Sequence, residues 1–202
     1  MMPIKITEAK KILRKTFREK RAQLNDEEVK IRSNQINLNF LDNLLPKIYQ
    51  KNSKKIFSLY QAMSGEVDCQ NIANFFEANS ILFSFPKIID ENLELIFIQA
   101  KPKQELEPNK FFPKILEISA GEKIFPDFLI IPLLAFDKNL NRLGMGKGFF
   151  DRTINFLKKR NLKIITIGLA YDFQRYDDIL PCDKTDQRLD FIVTEKNIFS
   201  AN

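Results

Sequence analysis

A glycine-rich segment in the second half of the chain has the residue types of an anion-binding loop. The sequence N-R-L-G-M-G-K-G, residues 141 to 148, holds three of the six glycines at alternating positions, together with Arg142 and Lys147. Glycines let backbone N–H groups approach phosphate oxygens, and a helix that begins near Phe149 would direct its free N–H groups at the same place. The spacing fits neither G-x-G-x-x-G nor a Walker A loop, because Lys147 is followed by glycine. A phosphate cradle and a plain connecting turn both remain open.

Aspartates follow this segment and recur near the C-terminus. Asp151 lies in the first turn of the expected helix, and the run L-P-C-D-K-T-D-Q-R-L-D, residues 180 to 190, supplies Asp183, Asp186 and Asp190. One of these beside Asp151 would give a hard cation two oxygen ligands, and magnesium carried by a nucleotide suits such a site. The alternatives are a carboxylate favoured by the helix dipole and ordinary turn residues.

The amino-acid composition excludes several kinds of catalytic and metal-binding site. The chain has no histidine, which excludes Ser-His and Cys-His nucleophile pairs, imidazole bases and imidazole metal ligands. Its net charge of +6 is concentrated in residues 1 to 32, where ten Lys or Arg face five Asp or Glu. Such a segment fits nucleic acid, an anionic ligand or a solvated helix face, and charge alone favours the last.

Neither export nor membrane insertion is expected. The longest apolar run, residues 128 to 136, is interrupted by Pro132 and falls far short of the ~18 to 20 residues that span a bilayer. The charged N-terminus lacks the apolar region of a signal peptide. Cys69 and Cys182 form no C-x-x-C motif and are expected to be two buried thiols. We expect a soluble, cytoplasmic protein.

The apolar pattern predicts an α/β fold. Strands that are apolar nearly throughout alternate with helices, which indicates three layers with a central, mainly parallel sheet flanked by helices. An N-terminal pair of helices precedes them, capped by Thr7 and by Asn25-Asp26. We expect one domain over residues 1–202. The expected helices are 7–24, 27–45, 68–78 and 149–160, and the expected strands are 56–60, 81–85, 93–98, 128–133, 163–170 and 191–194.

Two long connections are expected to differ in purpose. Residues 134–148 follow a predicted strand and lead into a helix, which is where parallel α/β sheets collect their ligands. Residues 101–127 contain four prolines, and we expect them to be an irregular excursion rather than a linker. The glycine segment therefore lies where a ligand site is expected.

Six motifs follow one another along the chain: K-K-I-L-R (10 to 14), S-G-E-V-D (64 to 68), P-D-F-L-I-I-P-L-L-A-F-D (126 to 137), N-R-L-G-M-G-K-G-F-F-D-R (141 to 152), I-G-L-A-Y-D (167 to 172) and L-P-C-D-K-T-D (180 to 186). Together they resemble the 5-formyltetrahydrofolate cyclo-ligase family, also called methenyltetrahydrofolate synthetase, and the resemblance runs essentially from end to end of the chain. It implies ATP- and Mg²⁺-dependent conversion of 5-formyltetrahydrofolate to 5,10-methenyltetrahydrofolate, through phosphorylation of the formyl oxygen and attack by N10.

The resemblance implies that two parts of the chain bind ATP. Lys10 and Arg14 match nucleotide contacts of the family, and their spacing puts both on one helix face. Lys147 and Arg142 are the expected catalytic residues, with Lys147 on the transferring phosphate. The implied ATP loop comprises Arg142, Leu143, Gly144, Met145, Gly146, Lys147, Gly148, Phe149 and Phe150.

The resemblance also implies the folate and metal contacts. Gln61 and Glu66 fall on folate-contacting positions, where a carboxylate can accept hydrogen bonds from a pterin edge. Lys147 and Phe149 are further expected substrate contacts. The implied Mg²⁺ ligands are Asp151 and Asp186.

The sequence departs from the family pattern at five positions. They are Lys114, Ile118, Phe149, Phe150 and Thr185. The alternatives considered beside the family are a sugar-phosphate isomerase or a CoA-transferase-like enzyme on a similar fold, and a basic nucleic-acid-binding module. We expect a monomer whose partner is 5-formyltetrahydrofolate, with or without a polyglutamate tail, and which binds neither nucleic acid nor membranes.

Overall fold

A mixed sheet of seven strands forms the centre of the described structure. The computed structural model describes residues 5–51, 53–63, 65–101, 105–160 and 162–201. The helices are α1 (Ile6–Arg21), α2 (Asp26–Asn39), a π-helical turn (Phe40–Leu44), α3 (Leu45–Ile48), α4 (Gln70–Ala78), α5 (Phe149–Lys159) and a 3-10 turn (Asp172–Gln174). The strands are β1 (Phe57–Ser58), β2 (Phe83–Lys87), β3 (Ile96–Gln99), β4 (Leu106–Pro108), β5 (Leu116–Ile118), β6 (Phe128–Pro132), β7 (Ala135–Phe136), β8 (Arg142–Leu143), β9 (Ile165–Leu169), β10 (Phe191–Val193) and β11 (Ile198–Ser200).

The strand order is β11-β10-β9-β6-β1-β2-β3. The four pairings among β10, β9, β6, β1 and β2 are parallel. The edge strands β3 and β11 run antiparallel to their neighbours β2 and β10. The predicted α/β fold with a mainly parallel sheet is confirmed.

Side chains of β6 alternate between two apolar clusters, which defines the layers. Phe128 and Ile130 belong to the cluster that includes residues of α2 and α4. Leu129 and Ile131 belong to the cluster that includes residues of α5. Because successive side chains of a strand point to opposite faces, helices cover the sheet on both sides.

The N-terminal helices agree with the prediction except at their ends. Asn25 caps α2 as predicted, since its side chain accepts from the Glu28 N–H at 2.9 Å while Glu28 accepts from the Asn25 N–H at 3.0 Å. Thr7 is wrong as a cap, because α1 already begins at Ile6. The second helical stretch does not end at Leu45 but continues through the π-helical turn into α3.

Two long connections contain short strands that the sequence analysis did not predict. The 101–127 excursion contains the antiparallel pair β4–β5. The 134–148 connection contains the short hairpin β7–β8. Its turn is held by the buried carboxylate of Asp137, which accepts from the N–H groups of Asn139 at 2.9 Å and Asn141 at 3.0 Å. Such side-chain-to-backbone bonds favour tight turns and hold the conformation of this hairpin.

Two smaller predictions have mixed outcomes. Cys69 is buried as expected, whereas Cys182 is only partly buried, so the expectation of two buried thiols is wrong for the second. In the part of the chain that the structure describes, no helix combines the length and the apolar character needed to cross a bilayer.

Candidate functional site

A cleft of about 1180 Å³ lies at the carboxyl ends of three parallel strands. Gln61 follows β1, Ile88 follows β2 and Leu133 follows β6, and all three residues line it. This is the edge at which parallel α/β sheets collect ligands. The cleft is lined by all fifteen residues to which the family resemblance gives a role: Lys10, Arg14, Gln61, Glu66, Arg142, Leu143, Gly144, Met145, Gly146, Lys147, Gly148, Phe149, Phe150, Asp151 and Asp186. Of the two other aspartates considered as metal ligands, Asp183 also lines the cleft, whereas Asp190 does not and instead accepts from the N–H and the hydroxyl of Thr166.

The glycine loop connects β8 to α5. Gly146 and Gly148 have φ of +102° and +69°, a region that residues with a side chain rarely adopt. Gly148 is the N-cap of α5 and supplies no side-chain acceptor to the first helical N–H groups. The loop therefore presents free backbone donors at a helix N-terminus, which is the arrangement that binds anions.

Helix α1 packs its basic face against this loop. The Arg14 Nε donates to the Gly144 carbonyl at 3.0 Å, and the Arg18 Nη2 donates to the Met145 carbonyl at 3.1 Å. A Cβ atom on Gly146 would lie 3.2 Å from the Arg14 guanidinium carbon. Sequence reasoning missed Arg18, although its position four residues after Arg14 continues the same helix face.

Arg142 and Asp151 form an ion pair inside the cleft. The Arg142 Nη2 lies 2.8 Å from the Asp151 Oδ1, which also accepts from the Gln187 N–H at 3.0 Å. The Arg142 Nε is buried and has no hydrogen-bond partner among the described residues. The Arg142 guanidinium carbon also lies 5.9 Å from the Phe150 ring centre. A buried cation with an unpaired donor is costly unless something else satisfies it.

Lys10 pairs with two aspartates near the C-terminus. Its Nζ lies 2.7 Å from the Asp183 Oδ2 and 2.5 Å from the Asp186 Oδ2. Burial would lower the pKa of Lys10, but the two hydrogen bonds and charges raise it above its usual value. The bond from Lys10 and two further bonds from Thr185 hold the pKa of Asp183 well below its usual range. Lys10 is thus charged and fixed at the cleft.

The two aspartates predicted as metal ligands each keep a free oxygen. The hydrogen bonds of Asp151 go to Oδ1 and those of Asp186 go to Oδ2. Within the described ranges, the Asp151 Oδ2 and the Asp186 Oδ1 accept no hydrogen bond. No group of three or more acidic or thiol ligands forms a complete metal cage there. Two carboxylate oxygens fit a Mg²⁺ ion whose other ligands come from phosphates and water.

Glu66 is a buried carboxylate that borders the cleft. Its Oε2 accepts from the Met63 N–H at 3.0 Å, and its Oε1 lies 3.6 Å from the Arg21 Nη1. Burial raises the pKa of Glu66, opposed by the Met63 bond and the Arg21 charge. Gln61 is half-buried at the same cleft. Ser64, which opens the S-G-E-V-D motif, lies outside the described residues.

Aromatic and aliphatic side chains form a second part of the cleft that sequence reasoning missed. The Phe112 ring packs edge-on against Phe149, with 5.8 Å between ring centres. The Lys147 Nζ lies 5.0 Å from the centre of the Phe112 ring. We call Ile88, Leu95, Phe111, Phe112 and Ile115 the apolar lining, and Lys10, Arg14, Arg18, residues 142 to 151, Asp183 and Asp186 the polar lining.

Fold and comparisons with known proteins agree on the class of this enzyme. The sequence model of the 5-formyltetrahydrofolate cyclo-ligase family matches residues 6–195. The chain therefore belongs to the 5-formyltetrahydrofolate cyclo-ligase family, which confirms the resemblance of the motifs. The 5-formyltetrahydrofolate cyclo-ligase of Mycoplasma genitalium is 34% identical over 185 residues, which cover 91% of this chain and 96% of that protein.

Two solved structures are similar to the whole chain. The 5,10-methenyltetrahydrofolate synthetase of Mycoplasma pneumoniae has 31% identity and a TM-score of 0.69, covering 92% of this chain and 98% of its own. The 5,10-methenyltetrahydrofolate synthetase of Aquifex aeolicus has 33% identity and a TM-score of 0.75, covering 95% of this chain and 92% of its own. Both support the described fold over nearly its full length.

Proposed function

We propose that the chain catalyses the ATP- and Mg²⁺-dependent conversion of 5-formyltetrahydrofolate to 5,10-methenyltetrahydrofolate, with release of ADP and phosphate. The observation that carries the proposal is the composition of one cleft. Cations from α1, a glycine loop at a helix N-terminus, two carboxylates with free oxygens and an apolar lining all meet there. Those are the groups needed to bring a polyphosphate together with an aromatic substrate.

The polar lining would hold the polyphosphate. The free N–H groups at the start of α5 and the Lys147 ammonium are the donors available to the transferring phosphate. Arg14 and Arg18 already bond to carbonyls of the loop, so their charges reach the phosphates while their side chains keep the loop in place. Arg142 adds a buried charge next to the same loop, and its unpaired Nε–H is a further donor that a bound anion would satisfy.

Mg²⁺ would be held by the free oxygens of Asp151 and Asp186. When bound, the ion neutralises charge on the phosphates during transfer. Arg142 and Lys10 fix the two carboxylates in place by pairing with their other oxygens. Both carboxylates are therefore oriented before any metal arrives.

The reaction needs no side-chain nucleophile, which suits a chain without histidine. The formyl group on N5 is an amide and a poor electrophile. Its oxygen attacks the terminal phosphorus of ATP, the bond to the ADP oxygen breaks, and the formyl carbon becomes activated. N10 then attacks that carbon and loses its proton, and the N5 lone pair expels phosphate to leave the methenyl bridge. Positioning and charge neutralisation carry such a phosphoryl transfer.

The folate rings would lie against the apolar lining. Phe112 of this lining already meets Phe149, at the start of α5, edge-to-face, a geometry that also suits contact with a flat heteroaromatic ring. Glu66 would accept N–H groups from the pterin edge, and the bond from Met63 together with the Arg21 charge keeps its carboxylate oriented. Gln61 supplies both a donor and an acceptor at the same end.

The alternatives from the sequence lose their basis. Lys10, Arg14 and Arg18, three of the ten cations in the basic N-terminal segment, line the cleft and bond within the molecule, which weakens the argument for a nucleic-acid surface. An isomerase or a CoA-transferase would not require a glycine loop with basic residues beside two carboxylates that keep a free oxygen. The monomeric state and the cytoplasmic location stay predictions.

An absorbance assay tests the proposal. Purified protein is mixed with 5-formyltetrahydrofolate, Mg²⁺ and ATP, and the near-ultraviolet band of the methenyl product is followed. We expect a rise that needs ATP and disappears when EDTA removes the metal. In folded protein, the absence of a rise, or an equal rise without ATP, would contradict the proposal.

A further inference from the structure

Arg152, which sequence reasoning did not select, ties the glycine loop to another part of the cleft. Its Nη1 donates to the Lys147 carbonyl at 2.8 Å. Its Nη2 donates to the Glu91 carbonyl at 3.0 Å, and its Nε donates to the Leu93 carbonyl at 3.1 Å. One guanidinium thus joins the loop to the segment that precedes β3.

Thr153 also joins the start of α5 to the segment that precedes β3, through two hydrogen bonds. The buried hydroxyl of Thr153 donates to the Phe149 carbonyl at 2.7 Å and accepts from the Leu95 N–H at 2.9 Å. The Arg152 guanidinium also lies 5.0 Å from the centre of the Phe149 ring. The first turn of α5 is therefore anchored on the 91–95 segment through two consecutive side chains, and Leu95 belongs to the apolar lining.

The bond to Lys147 sets the direction of one backbone donor. A trans peptide is planar, so the Lys147 carbonyl and the Gly148 N–H point in opposite directions. Holding the carbonyl on Arg152 turns the Gly148 N–H away from that side chain. Among the described residues, this N–H donates no hydrogen bond, and both Lys147 and Gly148 line the cleft. The donor is thus left free for a ligand.

The space beside Gly148 shows how closely the arginine is fitted. A Cβ atom on Gly148 would lie 3.0 Å from the Arg152 Nη1, and the residue has φ of +69°. Any larger residue at position 148 would crowd the Arg152 guanidinium and strain the backbone. A loop held only by its own flexible backbone would sample many orientations of this peptide, and ordering it on binding would cost conformational entropy.

We propose that Arg152 is a positioning residue that orients the Lys147–Gly148 peptide, so that its N–H is ready to bind the phosphates of ATP. The identity of the anion rests on the proposed function. The orientation of the peptide rests on the three hydrogen bonds alone. Each guanidinium nitrogen of Arg152 already donates to a carbonyl, which holds the side chain on the loop and on the 91–95 segment.

The test compares three variants. Arg152→Gln removes the charge and the fork of donors, and Arg152→Lys keeps the charge but cannot bond three carbonyls at once. Arg160→Gln is the matched control, because Arg160 lies at the C-terminal end of the same helix and stacks over Phe125 and Phe156 outside the cleft. The measurements are KM for ATP and kcat in the absorbance assay, and hydrogen exchange of peptides that cover residues 143 to 149.

We expect KM for ATP to rise about tenfold in both Arg152 variants, as for the loss of one charge-assisted hydrogen bond, with a smaller change in kcat. Exchange of the loop amides should be faster in the ATP-free variants than in the wild type. Arg160→Gln should resemble the wild type in both measurements.

Two results would overturn the inference. The first is unchanged exchange and unchanged KM in the Arg152 variants. The second is a normal Arg152→Lys beside an impaired Arg152→Gln, because charge alone would then be sufficient. An inactive wild type would instead reject the proposed function, and the exchange comparison would still decide the role of Arg152. Should Arg152→Gln fail to fold, Arg152→Lys carries the test.

Discussion

The polar and the apolar lining of the cleft differ in how the chain builds them. Most of the polar lining comes from two short stretches: one face of α1, where Lys10, Arg14 and Arg18 are spaced by four, and the run from Arg142 to Asp151. The apolar lining comes from the residue after β2, the residue before β3 and the β4–β5 hairpin, none of which carries a motif. Charged and glycine residues at fixed spacing stand out in a sequence. Apolar ligand contacts use the same residue types as the core.

The largest expected effect tests the polar lining. Lys147→Ala should lower kcat by about a hundredfold to a thousandfold, because it removes a donor from the transferring phosphate. Lys147 is exposed, so the melting temperature should change little. The measurement is the methenyl absorbance assay, run beside thermal unfolding.

Lys110→Ala is the matched control for this prediction. Lys110 also lies over an aromatic ring, 5.8 Å from the centre of Phe111, but it does not line the cleft. Near-normal turnover of Lys147→Ala, or equal losses in the two variants, would remove Lys147 from the phosphate site.

The next effect concerns the metal. Asp151→Asn should raise the Mg²⁺ concentration for half-maximal activity by about tenfold to a hundredfold, because a neutral amide is a poorer ligand and no longer pairs with Arg142. Asp178→Asn is the control, since Asp178 is exposed and bonds only the Ile179 N–H among the described residues. A magnesium titration that coincides with the wild type would return Asp151 to a purely structural role at the helix terminus.

A third prediction separates the two linings. Phe112→Leu should raise KM for 5-formyltetrahydrofolate by about tenfold through lost aromatic contact, with KM for ATP nearly unchanged. Phe125→Leu is the control, because Phe125 is 52% exposed and lies outside the cleft. If KM for ATP rose as much as that for the folate, the Lys147 contact with Phe112 would couple the linings and the distinction between them would fail.

The smallest effect is one of stability. Hydrogen bonds from Lys10 and Thr185 lower the pKa of Asp183 in the folded state, so their stabilisation is present above the unfolded value near 3.8 and is lost as pH falls through the lower folded value. Because the Asp183 side chain is 46% exposed, solvent screening limits the contribution to at most about 1 kcal/mol.

Urea unfolding of Asp183→Asn and the wild type at several pH values checks this. The difference in unfolding free energy should be present at neutral pH, shrink in high salt and vanish in strong acid. A difference that did not depend on pH would show that the ionised carboxylate is not its source.

The difference between the polar and the apolar lining also explains which features could be predicted from the sequence. The parallel sheet, the helices around it and the Asn25 cap follow from local patterns, and the spacing of glycines and charges places the polar lining. The role of Arg152 could not be predicted, because its partners are three backbone carbonyls and any residue type can supply a carbonyl. Phe112 was not predicted as a cleft residue, because the β4–β5 hairpin that carries it was expected to be irregular. Thr7 shows that a favourable capping residue does not fix a helix end when the preceding backbone is already helical.

The central claim is that the enzyme uses ATP to phosphorylate and so activate the formyl group. The most direct measurement follows ADP and the methenyl product together in one reaction of the wild-type protein with ATP, Mg²⁺ and 5-formyltetrahydrofolate. We predict one ADP for each methenyl product and no ADP when the folate is omitted. Methenyl formation without ADP, or ADP release that does not depend on the folate, would contradict the account.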